Sequence, residues 1–172
     1  MALSLTDAAL FTTSKIQKNN MTQNALGEGN TTVTQIALVV KDIDEKIAAF
    51  AELFGVEKPE WFITPKGENA LYNGQPTDAQ AKLAFFHMEN ITIELIEPVG
   101  GPSTWRDALE QRGDSLHHIA FNVKGMNQVI GNLEKQGIPL MQRGGDPDNG
   151  GGYSYCDAEK KLGLVIELLE GY

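Results

Sequence analysis

The chain of 172 residues has little of what secreted, membrane-embedded or nucleic-acid-binding proteins carry. It holds one cysteine, Cys156, so no intrachain disulfide supports it, which fits a reducing cytoplasm. It has three arginines, Arg106, Arg112 and Arg143, and a formal charge of −9. That excess of negative charge argues against nucleic acid or an anionic membrane surface as a partner. A polyanionic substrate would need a local basic patch. The aliphatic run Ile36–Val40 is far shorter than the roughly 20 residues of a membrane span. The opening MALSLTDAALF has no basic segment and carries Asp7, so a secretory signal is not expected.

What is present is ordinary globular material, 41% hydrophobic and 22% charged, long enough for one substantial core. Residues 1–30, rich in Asn, Thr, Ser and Gln without sustained periodicity, are expected to be a flexible tail. Residues 31–172 are expected to form one domain of two modules, about 31–100 and about 115–171. The division rests on an internal repeat. Val33–Val40 (VTQIALVV) is echoed by Leu116–Val123 (LHHIAFNV), and Ile93–Glu97 (IELIE) by Ile166–Glu170 (IELLE).

Each module reads as β-α-β-β-β or a near variant, an α+β chain. Asp42 with Glu45 forms a capping signal before Ile43, Ile47, Phe50 and Phe54 at helical spacing, and Gly55 ends that helix. A short strand is predicted near Trp61–Thr64, and a hairpin from Leu83–His87 and Ile91–Ile96. A linking helix runs from Ser103 to Arg112. In the second module Leu116–Val123 is a strand, Met126–Lys135 a helix, and Tyr153–Cys156 with Leu162–Leu169 a hairpin. The glycine-rich Gly144–Gly152 ends in no Gly-Lys-Ser/Thr, so a mobile lid over a ligand is a better reading than a phosphate cradle.

Superposing the repeat pairs Gln35 with His118 and Glu94 with Glu167. Alternation along a strand puts Gln35 with Ala37 and Val39, and His118 with Ala120 and Asn122, faces with small or polar neighbours. A lone glutamate in an apolar strand is most often an ion pair or an edge charge. Two at matched positions, beside a matched Gln/His pair, point to a metal, because buried carboxylates need a cation. The register selects His118 over His117 as ligand; His117 on the same side would require a bulge. His87 reads as a hairpin histidine with its own hydrogen bond. Glu97 and Glu170 read as rim charges.

At these residues the chain resembles the vicinal oxygen chelate superfamily, over about residues 31–170. That family includes glyoxalase I, methylmalonyl-CoA epimerase, extradiol dioxygenases and bleomycin-resistance proteins. The Gln35–Glu94–His118–Glu167 set looks like that of the zinc form of glyoxalase I. IELIEPVG, the Trp-Arg helix before SLHHIAFNV, and LGLVIELLE look more like methylmalonyl-CoA epimerase. The resemblance implies two pseudo-symmetric βαβββ modules forming a curved, cup-shaped mixed sheet around a metal site. It implies Gln35, Glu94, His118 and Glu167 as metal ligands, with Glu167 and Glu94 also acting as catalytic bases.

Such N and O donors suit Zn, Mn, Co or Ni. An ion there would polarise a carbonyl and stabilise the enediolate left when a neighbouring C–H loses its proton. The implied activity is that of methylmalonyl-CoA epimerase, with glyoxalase I isomerisation of a hemithioacetal as the alternative. A non-catalytic small-molecule-binding protein is the third reading. The implied substrate is an acyl thioester or related carbonyl compound. A cytoplasmic homodimer is expected, since small sheets leave edges that need cover.

Overall fold

The computed structural model describes residues 24–67, 69–146, 148 and 150–172. The first half contains β1 (Gln35–Val39), α1 (Ile43–Phe54), β2 (Phe62–Ile63), β3 (Leu71–Tyr72), β4 (Gln75–Pro76), β5 (Gln80–His87) and β6 (Thr92–Val99). Helix α2 (Thr104–Arg112) leads to β7 (Ser115–Asn122), α3 (Met126–Lys135), β8 (Leu140–Asp146), β9 (Gly151–Asp157), α4 (Glu159–Leu162) and β10 (Val165–Glu170).

These strands make one mixed sheet in the order β2-β5-β6-β1-β7-β10-β9-β8-β3-β4, curled into a half-barrel. β1 runs parallel to β6, and β7 parallel to β10, while β1 and β7 pair antiparallel. The two halves of the sheet therefore mirror one another across the β1–β7 seam. The hairpin β3–β4 leaves the first half and pairs Leu71 with Arg143 and Tyr72 with Gln142 on β8. It fastens the first half to the far side of the second, and the Tyr72 hydroxyl bonds the Asp107 carboxylate on α2.

Local signals account for the helices. The Asp42 carboxylate accepts from the Glu45 N–H at 3.0 Å, and Gly55 closes α1 in the left-handed region at φ 66°. Only half of the capping box forms, since the Glu45 carboxylate pairs with Lys46 instead. α1 buries Ile43, Ile47 and Ala51 against Ala84, Phe86 and Leu95 on the convex face of the sheet. α3 does the same in the second half, with Val129, Ile130 and Leu133 against Phe121, Ile166 and Leu168. A third cluster, including Ala37, Val39, Ile96, Trp105 and Val165, lies on the concave side under α2.

Several expectations need correction. Glu97 and Glu170 are not rim charges but helix caps. Glu97 Oε2 accepts from the Ile43 N–H at 2.9 Å, and Glu170 accepts from the N–H groups of Gly125 and of Met126, the latter at 2.8 Å. Three residues beyond Glu94 and Glu167 along a strand, they face the opposite way, toward the helices. Much of the glycine-rich segment is paired strand, with Gly145 opposite Gly152 and Asp146 opposite Gly151. Its glycines make room for aromatic rings. A Cβ on Gly144 would lie 2.7 Å from the Tyr153 ring, and one on Gly151 2.5 Å from that of Tyr172. The last strand begins at Val165 rather than Leu162, because the turn α4 intervenes. Of the expected tail, residues 24–30 form turns in which Asn30 donates to the Asn122 carbonyl at 2.9 Å and Leu26 packs on the second core. The rest of that tail lies outside the described residues.

Replacing Glu170 with Ala should destabilise the fold by about 1 kcal/mol, as loss of a helix cap does, because α3 starts at Gly125 without a side-chain cap of its own. Glu97→Ala should cost less, since α1 keeps Asp42. Urea unfolding checks both, and equal effects would contradict this account.

Candidate metal centre

The register of the central strands builds the site. Ala37 on β1 stands between Glu94 on β6 and His118 on β7. Ala120 on β7 stands between Gln35 on β1 and Glu167 on β10. The four polar positions thus alternate with two fully buried alanines on the concave face. The short methyl side chains leave room for the longer ones to lean over them. A branched residue at either place would fill the space where the polar groups meet.

Three of the four are brought together. His118 Nε2 lies 2.9 Å from Glu167 Oε2 and 3.4 Å from Glu94 Oε2. His118 is fully buried, and Glu94 and Glu167 are nearly so. One ligating atom from each falls within 4.8 Å of the others. Gln35 stands in the neighbouring row, lining the same cavity as Glu94 and Glu167.

His117 reaches the concave side through a bulge that interrupts the regular alternation of β7. β1 and β7 pair Ala37 with His118 but Leu38 with Leu116, so His117 is the extra residue. Its ring packs edge-on to Tyr155 at 5.3 Å, and its Nδ1 lies 2.9 Å from Nδ1 of His118. Burial, then the neighbouring His118 charge and Arg112, hold His117 well below the ordinary histidine range, so it is neutral. Two nitrogens at hydrogen-bond distance share one proton. If His118 offers Nε2 as a ligand, its Nδ1–H donates to His117, which fixes the ring's tautomer and orientation. No periodicity marks His117 for this role; the doubled histidine was the only signal.

The electrostatics follow from burial. Burial lowers the His118 pKa, but the Glu167 and Glu94 carboxylates outweigh it and push it up to about 9. Burial and the Glu167 charge hold the Glu94 carboxyl above its ordinary range, against His118. Buried polar atoms normally find partners. Here Glu94 Oε2, His118 Nε2 and Glu167 Oε2 have no hydrogen bond of proper geometry, although they converge. Donors each about 2.1 Å from a common first-row ion stand roughly 3 Å or slightly more apart. The 2.9 and 3.4 Å separations fit such an ion, and so does the chemistry of the donors.

The carboxylates open into a cavity of about 820 Å3. His87 is exposed at its wall and pairs with Thr92 at 3.2 Å, as its reading as a hairpin histidine requires. Sequence reasoning missed the aromatic lining, which comes from strands, helix α2 and the C-terminal Tyr172, far apart in the chain.

Comparison with known proteins agrees with this architecture. A sequence profile of the Glyoxalase/Bleomycin resistance protein/Dioxygenase superfamily matches residues 34–156. YqjC of Bacillus subtilis (strain 168), bearing the description "Uncharacterized protein", is 30% identical over 94 residues, 54% of this chain and 67% of that protein. Among solved structures, methylmalonyl-CoA epimerase from Mycobacterium tuberculosis superposes with a TM-score of 0.56 at 19% identity, covering 89% of this chain and 94% of that one. Hypothetical protein BH1468 from Bacillus halodurans C-125 gives 0.56 at 20% identity, covering 81% and 93%. At such identities the structures share the fold.

Elemental analysis should find a divalent metal that Ala substitution of Glu94, His118 or Glu167 largely removes and that Gln35→Ala weakens, while His87→Ala leaves it in place. His117→Ala should weaken affinity by about 10–100-fold, the usual cost of losing a partner behind a ligand. Full occupancy across the first three variants would refute the site.

Stability should depend on pH in a stated direction. A histidine raised from about 6.5 stabilises the metal-free fold fully below that value and loses the contribution as pH rises through about 9. The raised Glu94 carboxyl acts in the same sense. The melting temperature of chelator-treated protein should therefore fall between about pH 6.5 and 9. Added metal, which displaces the His118 proton, should restore more at the alkaline end. A chelated protein equally stable at both ends would contradict this.

Proposed function

Because this chain belongs to the glyoxalase/bleomycin resistance protein/dioxygenase superfamily, we propose that it is a metal-dependent enzyme that moves a proton at the carbon beside a carbonyl group. One observation carries the reading: two buried carboxylates from matched strands converge with His118, each with an oxygen free of hydrogen bonds, at the base of a large cavity. Glu94, His118 and Glu167, with Gln35 beside them, would hold Zn, Mn, Co or Ni. Such an ion supplies Lewis-acid polarisation of a carbonyl oxygen.

The remaining work falls to the chain. Glu94 and Glu167 come from β6 and β10, on opposite sides of the β1–β7 seam, so a substrate over the seam has a carboxylate on each side. Glu167 takes the proton. Glu94, on the other side of the substrate, returns a proton to the product. His117 holds the His118 ring in place. Return to the opposite face of the same carbon gives an epimer, and return to the adjacent carbon gives an isomer. The fold shared with methylmalonyl-CoA epimerase supports the first outcome and an acyl thioester substrate. The Gln35–Glu94–His118–Glu167 set, resembling zinc glyoxalase I, supports the second and a hemithioacetal.

The test is solvent deuterium exchange into methylmalonyl-CoA and into the methylglyoxal–glutathione adduct. Glu167→Gln should retain metal yet lose at least about a hundredfold in rate, the lower end for general base catalysis. Glu94→Gln should impair product formation more than exchange. If both variants remain fully active, the carboxylates are ligands only. If the wild-type protein exchanges neither compound, these two substrates are wrong, while the case for the metal site stands.

A further inference from the structure

Two aromatic walls border the carboxylates. Strand register puts Phe85 beside Glu94 and Tyr155 beside Glu167, the same place in each half of the sheet. On the first side Phe62 stands 6.1 Å from Phe85, and the His87 ring stacks on Phe85 at 6.2 Å with planes 10° apart. On the second, Trp105 lies 5.8 Å from Tyr155 and 6.2 Å from Tyr153, and Tyr172 covers Gly151. The cavity between them, about 820 Å3, has the size of a site for a ligand of several rings.

The charge of this lining is one-sided. Its described residues include no lysine or arginine, and the acidic ones are Glu94, Glu167 and Asp146. A divalent ion with two carboxylates and a neutral His118 sums to zero, which leaves Asp146 as the residual charge. A carboxylate or phosphate lodged here would be buried without a counter-charge, a costly state. Neutral donors are available instead. Trp105 is 4% exposed and lines the cavity, and its indole N–H, which has the Tyr155 side chain as polar neighbour, makes no hydrogen bond of proper geometry. Gln142 donates to the Tyr153 oxygen at 3.5 Å, which leaves the phenol's own proton to give. Burial and the nearby Glu167 push the Tyr153 phenol up, so it keeps that proton.

We propose that the group received by this cavity is uncharged and flat: a carbonyl compound whose carbonyl carbon is joined to an aromatic or conjugated ring system. The carbonyl lies toward Glu94, His118 and Glu167, and the rings lie between the Phe85 and Tyr155 walls, with Trp105 donating to a neutral acceptor. The orientation rests on the proton-transfer reading, and the charge and shape rest on the walls. Within that reading, an uncharged aromatic ketone ranks above a malonyl carboxylate.

Metal-loaded protein is titrated, by calorimetry and tryptophan emission, with hydroxymethyl naphthyl ketone, its ring-carboxylate derivative, its saturated decalin analogue and methylmalonyl-CoA. The neutral aromatic ketone should bind at least about tenfold more tightly than the carboxylate, which is buried unpaired. It should exceed the decalin analogue by about tenfold, the upper range for aromatic pairing. Trp105→Phe should loosen the ketone without changing metal content, and Leu83→Lys in the wall should shift preference toward the carboxylate. Equal or tighter binding of the carboxylate or of methylmalonyl-CoA overturns the proposal, as does no binding of the ketone. Ketone binding without exchange of its α-protons would remove the proton-transfer reading and leave this one. Exchange into methylmalonyl-CoA without ketone binding would do the reverse.

Discussion

The antiparallel pairing of β1 with β7 is the constraint on which the rest of the structure depends. Ile36 opposite Ile119 marks its centre, so Gln35 falls opposite Ala120 and Ala37 opposite His118. Each outer strand then joins in parallel and sets a glutamate beside an alanine. A slip of one residue would turn all four polar side chains toward the helices and the apolar residues into the cavity. The cores under α1 and α3 oppose that slip, because Leu95 and Leu168, fully buried there, would be exposed by it. Packing on the convex face thereby holds the site on the concave one.

The same short motif does both jobs. In IELIE and IELLE the first glutamate points into the cup and the second, three residues later, points toward a helix N-terminus. There its charge meets unpaired N–H groups and the positive end of the helix dipole. One strand therefore ties a glutamate of the cup to the helix that covers its back. The bulge at His117 adds a further tie. By placing one residue too many on β7, it brings a neutral imidazole behind His118 and buries it under α2. The β3–β4 strap and the bond from Tyr72 to Asp107 secure that helix from the other side.

Electrostatics explain why such a site points to a cation. Two carboxylates and an imidazole lie in nearly complete burial, and their converging atoms lack proper hydrogen bonds. A proton shared through His118 relieves part of the cost, which is why its pKa rises to about 9. A divalent ion relieves more, since it offers two charges and several coordination positions at once.

The sequence by itself determined the repeat, the helices with their local caps, and the identity of the three polar residues that converge, Glu94, His118 and Glu167. Each of those is written in local spacing: Asp42 to Glu45, Ile43 to Ile47, Gln-Ile-Ala echoed as His-Ile-Ala. Alternation along a strand also told which glutamate of each pair shares a face with the histidine. Only the tertiary structure decided what depends on pairing between distant segments. The bulge at His117 is visible only against β1, and the capping by Glu97 and Glu170 only once α1 and α3 pack beside them. The glycines at 144 and 151 read as a flexible lid until the rings of Tyr153 and Tyr172 occupy the space they leave. The strands at Leu71–Tyr72 and Gln75–Pro76 are too short to carry a periodic signal, and they exist because β8 offers an edge. The aromatic walls likewise join Phe62, Phe85, Trp105 and Tyr155, residues that no local pattern connects, because curvature of the sheet brings them around one cavity.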